Sequence, residues 1–297
     1  MFHTIDLNFQ GLSGCIAAFL LETKEGPVLF ETGPHSTFPR LVEGLAEKGY
    51  RPSDLAAAFV THIHLDHAGA SWALAREGVT VYVHPFGYKH LLDPSKLMES
   101  ARRIYLDDMD RLWGDMQAIP AEKLVAVEDD AEFVFGGKRI RALHTPGHAV
   151  HHIAWQVEKH IICGDVAGVK IGRGPIIPPC PPPDINVEDW KDSIEILRGA
   201  RPETLWLTHF GPVSHPNEHL GGLAQQLDHY ANWMKPHFDA KEAPEAITAM
   251  LQQMADEELL EFGIEGDDKA RYDFANPVWM SVAGLLRYWK KRSELPV

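Results

Sequence analysis

Thr61-His62-Ile63-His64-Leu65-Asp66-His67-Ala68-Gly69 is the stretch on which the reading of this chain turns. The apolar run 56–61 before it reads as a short buried strand. Residues 68–77 after it, closed by Gly78, read as a helix. Four metal-competent side chains therefore fall on one strand-to-helix loop. A loop has no hydrogen-bond ladder to preserve, so side chains at i, i+2, i+4 and i+5 can turn together toward one or two ions. Imidazole and carboxylate donors suit zinc, manganese or iron. The chain has 17 histidines in 297 residues, and three of them plus an aspartate inside positions 62–67 is denser than a polar surface turn obtains by chance.

Three later segments end apolar strands in the same kind of residue: Leu143-His144-Thr145-Pro146-Gly147-His148, Ile162-Cys163-Gly164-Asp165 and Leu207-Thr208-His209-Phe210-Gly211. Strand ends are where α/β proteins carry function. Read singly, each would more often be an ordinary polar group; read with the first loop, they complete two coordination sets. Around them, 15–21 and 28–31 are strand-like and separated by the turn signal Gly26-Pro27, 38–49 is helical, and 79–83 is a strand. Gly136-Gly137 joins Glu132–Phe135 to 138–143 as a hairpin, and Ile153–Val157 with 160–163 reads as another. A helix is expected at 187–198 and a last strand at 204–208.

Two regions break this rhythm. Residues 85–119 place Leu97, Ile104, Met109, Leu112 and Met116 at helical spacing and read as an inserted pair of helices. From about Glu218 the chain is helix-forming, with breaks expected at Pro236, Pro244, 263–266 and Pro277, or about three helices. The segment 176–185 holds Pro178, Pro179, Pro181, Pro182 and Pro183. Lying between Asp165 and His209, it should return to the same face as a stiff wall or a connector.

Composition narrows the function classes. A formal charge of −14 with no extended basic stripe argues against a nucleic-acid partner. The longest apolar run, 15–21, is seven residues, far short of a membrane span. The first residues show no basic start followed by an apolar core, and the three cysteines (15, 163 and 180) have no Cys-x-x-Cys spacing. We expect a cytoplasmic protein with unpaired thiols.

In these motifs the chain resembles the metallo-β-lactamase superfamily, whose five elements occur in order across residues 31–211. The resemblance implies an α/β fold, the αββα four-layer sandwich, over residues 1–212. A helical insertion at about 85–122 and a C-terminal helical module over 213–297 are expected with it. It implies that His62, His64 and His148 bind one divalent ion, that Asp66, His67 and His209 bind a second, and that Asp165 bridges the two. The family's early Asp-x-Gly turn is here Glu31-Thr32-Gly33, so Glu31 is expected to orient the ligand loop from behind. His152 should support that loop without binding metal.

The same resemblance implies a hydrolase similar to type II glyoxalase and lactonase-like members, using two divalent ions, expected to be zinc with manganese or iron open. Such ions bring the pKa of a shared water toward neutrality, and Asp66 would be catalytic as well as a ligand, aiming that water. The expected substrate is a small carboxylic ester, thioester or lactone. The alternatives are a phosphodiesterase of the same fold and a mononuclear iron persulfide dioxygenase, whose relatives keep the His-x-His-x-Asp-His string. Tyr88, Tyr105, Met109 and Trp113 of the insertion are candidate substrate contacts. The tail carries Trp233, Phe238, Trp279, Tyr288 and Trp289, an aromatic load that fits packing on the core and a homodimer interface.

Overall fold

Alternation along the strands sorts their side chains into two apolar layers. Phe19 and Leu21, Phe59, Trp155, Ile162 and Trp206 share one cluster, and their neighbours Leu20, Ala58, Ala154, Ile161 and Leu205 belong to the other. A strand buried on both faces reads as a continuous apolar run, which is why period-two patterning is absent from the sequence. The computed structural model describes residues 1–294. Its first sheet has the order β1 (Phe2–Asp6), β2 (Ala17–Leu21), β3 (Val28–Phe30), β4 (Ala57–Phe59), β5 (Val81–Val83) and β6 (Leu124–Ala126). The second runs β12 (Gly211–Val213), β11 (Thr204–Leu207), β10 (His160–Gly164), β9 (Ile153–Val157), β8 (Lys138–His144) and β7 (Glu132–Phe135).

The two sheets face each other through the first cluster. Phe59 meets Trp155 edge-on at 4.8 Å between centroids, and Phe19 meets Trp206 at 5.4 Å. Helices cover the outer faces, giving the αββα four-layer sandwich. The first sheet has α1 (Phe38–Ala46), α2 (Leu65–Ala68), α3 (Ser71–Arg76), α4 (Pro85–Leu92), α5 (Ser95–Tyr105) and α6 (Met109–Leu112) before β6, and α7 (Val187–Gly199) precedes β11. Strands β3 to β6 pair in parallel, as do β10 and β11, so their carboxyl ends gather on one edge. Backbone bonds stitch the sheets together there. Ile153 N–H donates to the Thr61 carbonyl at 2.8 Å, and Ala17 N–H donates to Thr208 at 2.9 Å.

Some expectations need correcting. The expected helix 68–77 is two short helices, and Asp66 and His67 lie in the first of them, α2, rather than in open loop. The insertion holds three helices, not two, because Leu106, at φ 47°, turns the chain between α5 and α6. The tail holds four helices: α8 (Pro216–Asp239), α9 (Pro244–Glu261), α10 (Gly266–Ala275) and α11 (Val278–Ser293). Pro236 does not break α8. The bond its missing N–H forfeits would go to the carbonyl of the exposed Asn232, which water can serve. Strand β12 reaches Val213, one residue past the expected boundary, and residues 295–297 of the expected module lie outside the described residues.

The tail packs onto the sandwich. Tyr272 Oη donates to the Pro175 carbonyl at 2.8 Å, and Leu220, Leu251 and Leu285 join the same apolar cluster as Leu197. Among the described residues no helix is long and apolar enough to cross a membrane.

Candidate metal centre

Each expected ligand sits just past the carboxyl end of a strand: the first four after β4, His148 after β8, Asp165 after β10 and His209 after β11. Gly147 lets the His148 loop through. Its φ is 125°, and a Cβ there would collide with the backbone of Trp190 on α7, whose indole packs against the His148 ring at 5.5 Å.

The side chains converge in two sets. His62 Nε2 lies 2.9 Å from His64 Nδ1, which lies 3.1 Å from His148 Nε2. In the second set Asp66 Oδ2 is 3.5 Å from His67 Nε2 and 3.4 Å from His209 Nε2. Asp165 stands between them. Its Oδ1 is 3.3 Å from His67 Nε2 and 3.5 Å from His209 Nε2, whereas its Oδ2 is 3.4 Å from His148 Nε2. The donor atoms of each set lie within 4.8 Å of one another.

Hydrogen bonds behind the rings aim them. His148 Nδ1–H donates to the Pro179 carbonyl at 2.9 Å, and His209 Nδ1–H donates to the Cys15 carbonyl at 2.8 Å. A carbonyl can only accept, so Nδ1 carries a hydrogen on both rings and Nε2 is the nitrogen turned inward. His62 Nδ1 is held by Thr61 Oγ1 at 3.0 Å. Glu31 accepts from Thr61 N–H at 3.2 Å through Oε1 and lies 3.2 Å from His67 Nδ1 through Oε2. The longer carboxylate thus reaches both the loop backbone and the ring. His152 is bound to Thr145 Oγ1 at 2.9 Å and packs beside His62, outside both donor sets.

The electrostatics suit cations. Burial, then the neighbouring histidines, depress His62 well below the usual imidazole range and His64 to about 3, so both are neutral donors at pH 7. Burial opposes ionising Asp66 and Asp165, but the surrounding histidines together outweigh it, His67 and His209 at Asp66 and His67, His148 and His209 at Asp165, and both stay ionised. His67 Nε2, His209 Nε2 and Asp165 Oδ1 are sealed from solvent with no hydrogen-bond partner. Orphaned buried donor atoms that converge this way fit divalent metal ions, which need neutral imidazole and ionised carboxylate.

A cavity of about 180 Å³ opens on His64, Asp66 and Asp165. Tyr105 and Trp113 line it, as do Pro179 and Pro181 of the proline segment, which therefore forms a wall of the cleft. Tyr88 and Met109 do not. Met109 is buried in the apolar core under the insertion and Tyr88 is half-buried against it. Sequence reasoning missed the α10–α11 corner, where Phe274, Asn276, Pro277 and Met280 close the opposite side.

The model of the metallo-beta-lactamase superfamily matches residues 16–209, well over half the chain. The chain belongs to this superfamily. Among its curated relatives, a metallo-beta-lactamase fold-containing protein of Sulfurisphaera tokodaii is 33% identical over 168 residues, covering 54% of this chain and 63% of that one. An N-acyl homoserine lactonase of Bacillus thuringiensis is 28% identical over 163 residues, 47% of this chain and 57% of the lactonase. The chain thus spans less than two thirds of these relatives' own length. A metallo-beta-lactamase family protein from Thermus thermophilus shares the fold over 99% of this chain and 95% of its own, with a TM-score of 0.69 at 19% identity. For this superfamily member, then, the fold likeness extends through the helical tail.

Proposed function

We propose that this protein is a dinuclear metal-dependent hydrolase acting on a small carboxylic ester, thioester or lactone. The observation that carries the reading is the full set of seven converging donors opening onto a cavity whose lining contains no Lys or Arg. Two divalent ions held there, zinc being well suited to the donors, would supply a Lewis acid for the carbonyl oxygen and acidify a water into the neutral range. The chain's own residues do the rest. Asp165 places one oxygen toward each set and so fixes their separation. Asp66 turns Oδ2 to the histidines, and its side chain is 21% exposed, so the carboxylate also faces the cavity and can accept a hydrogen bond from the water and aim it. The apolar walls keep bulk water from the bond to be cut.

Beyond the metal centre the lining has no cationic side chain for a second phosphate or a charged leaving group, which favours substrates that are neutral outside the bond to be cut. The lactonase of B. thuringiensis among the relatives is consistent with that choice. The test is a hydrolysis panel of lactones, thioesters, aryl esters and bis-aryl phosphodiesters on protein of measured metal content. Turnover of the carboxylic substrates with about two metals per chain is expected. One iron per chain with oxygen consumption, or turnover confined to phosphodiesters, overturns the proposal.

A further inference from the structure

Asn276 ends α10 at the cleft, 8% exposed, with its backbone N–H bound to the Tyr272 carbonyl. Its side-chain orientation is dictated by a neighbour. Cys180 N–H donates to Ser281 Oγ at 3.3 Å, and the Ser281 hydroxyl donates to Asn276 Oδ1 at 2.9 Å. The carboxamide oxygen is thereby occupied. Nδ2 makes no hydrogen bond among the described residues, and Asn276 borders both the cavity and a small pocket behind it that Ser281 also lines. The hydroxyl groups of the lining, Ser100 and Tyr105, can each donate or accept. Trp113 of the lining also carries a donor-only N–H without a partner, but that nitrogen is sealed from solvent; Asn276 Nδ2 is the lining's donor whose orientation is locked by a hydrogen bond.

The rest of the lining defines what that donor can meet. Leu97, Ile104, Phe274 and Met280 are apolar, and the only carboxylates, Asp66 and Asp165, belong to the metal centre. An anionic group away from the metals would find no cation, and an ammonium group would face a donor. At about 180 Å³ the cavity is also smaller than the roughly 300–1,000 Å³ usual for ligand sites. Part of the ligand must therefore extend over exposed apolar surface, supplied by Ile104 and by Trp279, whose ring lies 6.1 Å from that of Tyr105.

We infer that Asn276 is a specificity-determining residue that donates from Nδ2 to a second, neutral oxygen of the substrate, in an acyl group that is otherwise apolar and uncharged. This rests on the hydrolase reading, in which the metals take the carbonyl being cleaved and leave Asn276 for another oxygen. Ser281 is then a positioning residue: it acts on the ligand only by holding the amide. The α10–α11 corner thus supplies a substrate contact.

The experiment uses the full-length, metal-loaded protein and the variants Asn276→Ala and Ser281→Ala, with metal content and Tm recorded for each. Aryl hexanoate is compared with oxohexanoates whose keto group is moved along the chain. The wild type should prefer one keto ester to plain hexanoate by about tenfold in kcat/KM, expressed mainly in KM, the value of one hydrogen bond. Asn276→Ala should erase the preference, and Ser281→Ala should reduce it, both with metal content unchanged. A parallel ligand-observed NMR titration uses hexane-2,5-dione and hexan-2-one, which cannot be hydrolysed. The dione should bind about tenfold more tightly, and only while Asn276 is present. Equal affinity in the wild type, or a preference that survives Asn276→Ala, overturns the inference. Failure of every ester together with an intact dione preference would sink the hydrolase reading and leave Asn276 standing.

Discussion

Glu31 Oε2 lies 3.2 Å from Nδ1 of His67, with both side chains fully buried, while Glu31 Oε1 accepts from Thr61 N–H at the head of the ligand loop. One carboxylate therefore sets both the loop and the ring. Glu31 adopts φ 63°, a left-handed conformation uncommon for a residue with a Cβ. Replacing it with Gln keeps the volume but puts an amide N–H where one of the two donors needs an acceptor. Partners of this kind typically matter 10–100-fold for metal affinity. Glu31→Gln should weaken the ion held by His67 by about that much, read by chelator competition. Unchanged affinity would show that Glu31 is only packing.

The two donor sets predict unequal losses. His62→Ala and His148→Ala should deplete the same ion, and His209→Ala the other, because affinity follows ligand number and geometry. Asp165→Ala should be the most damaging, since its two oxygens serve both sets and like charges would then face each other uncompensated. Metal content by mass spectrometry decides the matter. Loss of one and the same ion from all four variants would instead mean a single-ion site.

Protons compete with the metals, and their placement fixes the sign. In protein stripped of metal, burial opposes charge on His67, but Asp165, Asp66 and Glu31 outweigh it and raise its pKa well above the usual 6.5. His209 is raised too, with burial overridden by Asp165 and Asp66. The stability these two contribute is present below about 6.5 and is lost as pH climbs through the raised values. Buried His62 and His64 act oppositely: their contribution is present above about 6.5 and is lost as pH falls toward their depressed values, about 3 for His64. An ion entering the second set must displace the protons on His67 and His209. Its apparent affinity should therefore rise with pH, by up to about a hundredfold from pH 6 to 7 if two protons leave. Calorimetry in buffers of differing ionisation enthalpy should find that release, and none at all would contradict the assignment.

The parts of the fold legible in the sequence were those with local signals. Gly136-Gly137 marked the β7–β8 hairpin, and buried strands such as β2 and β4 stood out as apolar runs, the second of them leading into ligands. Strand β1 escaped notice because Phe2–Asp6 mixes His3, Thr4 and Asp6 with only two large apolar residues, and its structure comes from pairing with β2. Strands β6 and β12 are three-residue edges with no pattern long enough to read. The donor set was legible because a metal needs particular residue types at strand ends. The cleft walls were not: Tyr88 and Tyr105 look alike in sequence, and only the turn after α5 and the return of α10–α11 decide which faces the cavity. Asn276 carried no signal beyond preceding a proline.

That return depends on Gly284, midway along α11. A Cβ there would overlap the backbone carbonyl oxygen of Cys180 in the proline wall, and backbone cannot swing aside as a side-chain tip can. Gly→Ala in a helix interior ordinarily stabilises by about 1 kcal/mol. Here the sign should reverse, because forcing a methyl into a filled contact costs about 1–3 kcal/mol. The Gly284→Ala variant should melt several degrees lower. Because Cys180 lies between Pro179, which holds His148 Nδ1, and Pro181, which lines the cavity, the displaced wall should also raise KM. Stability by thermal denaturation, metal content and kinetics on one preparation separate these effects. A Gly284→Ala protein as stable as the parent would show that α11 can slide, and that the tail is not the fixed wall this packing implies.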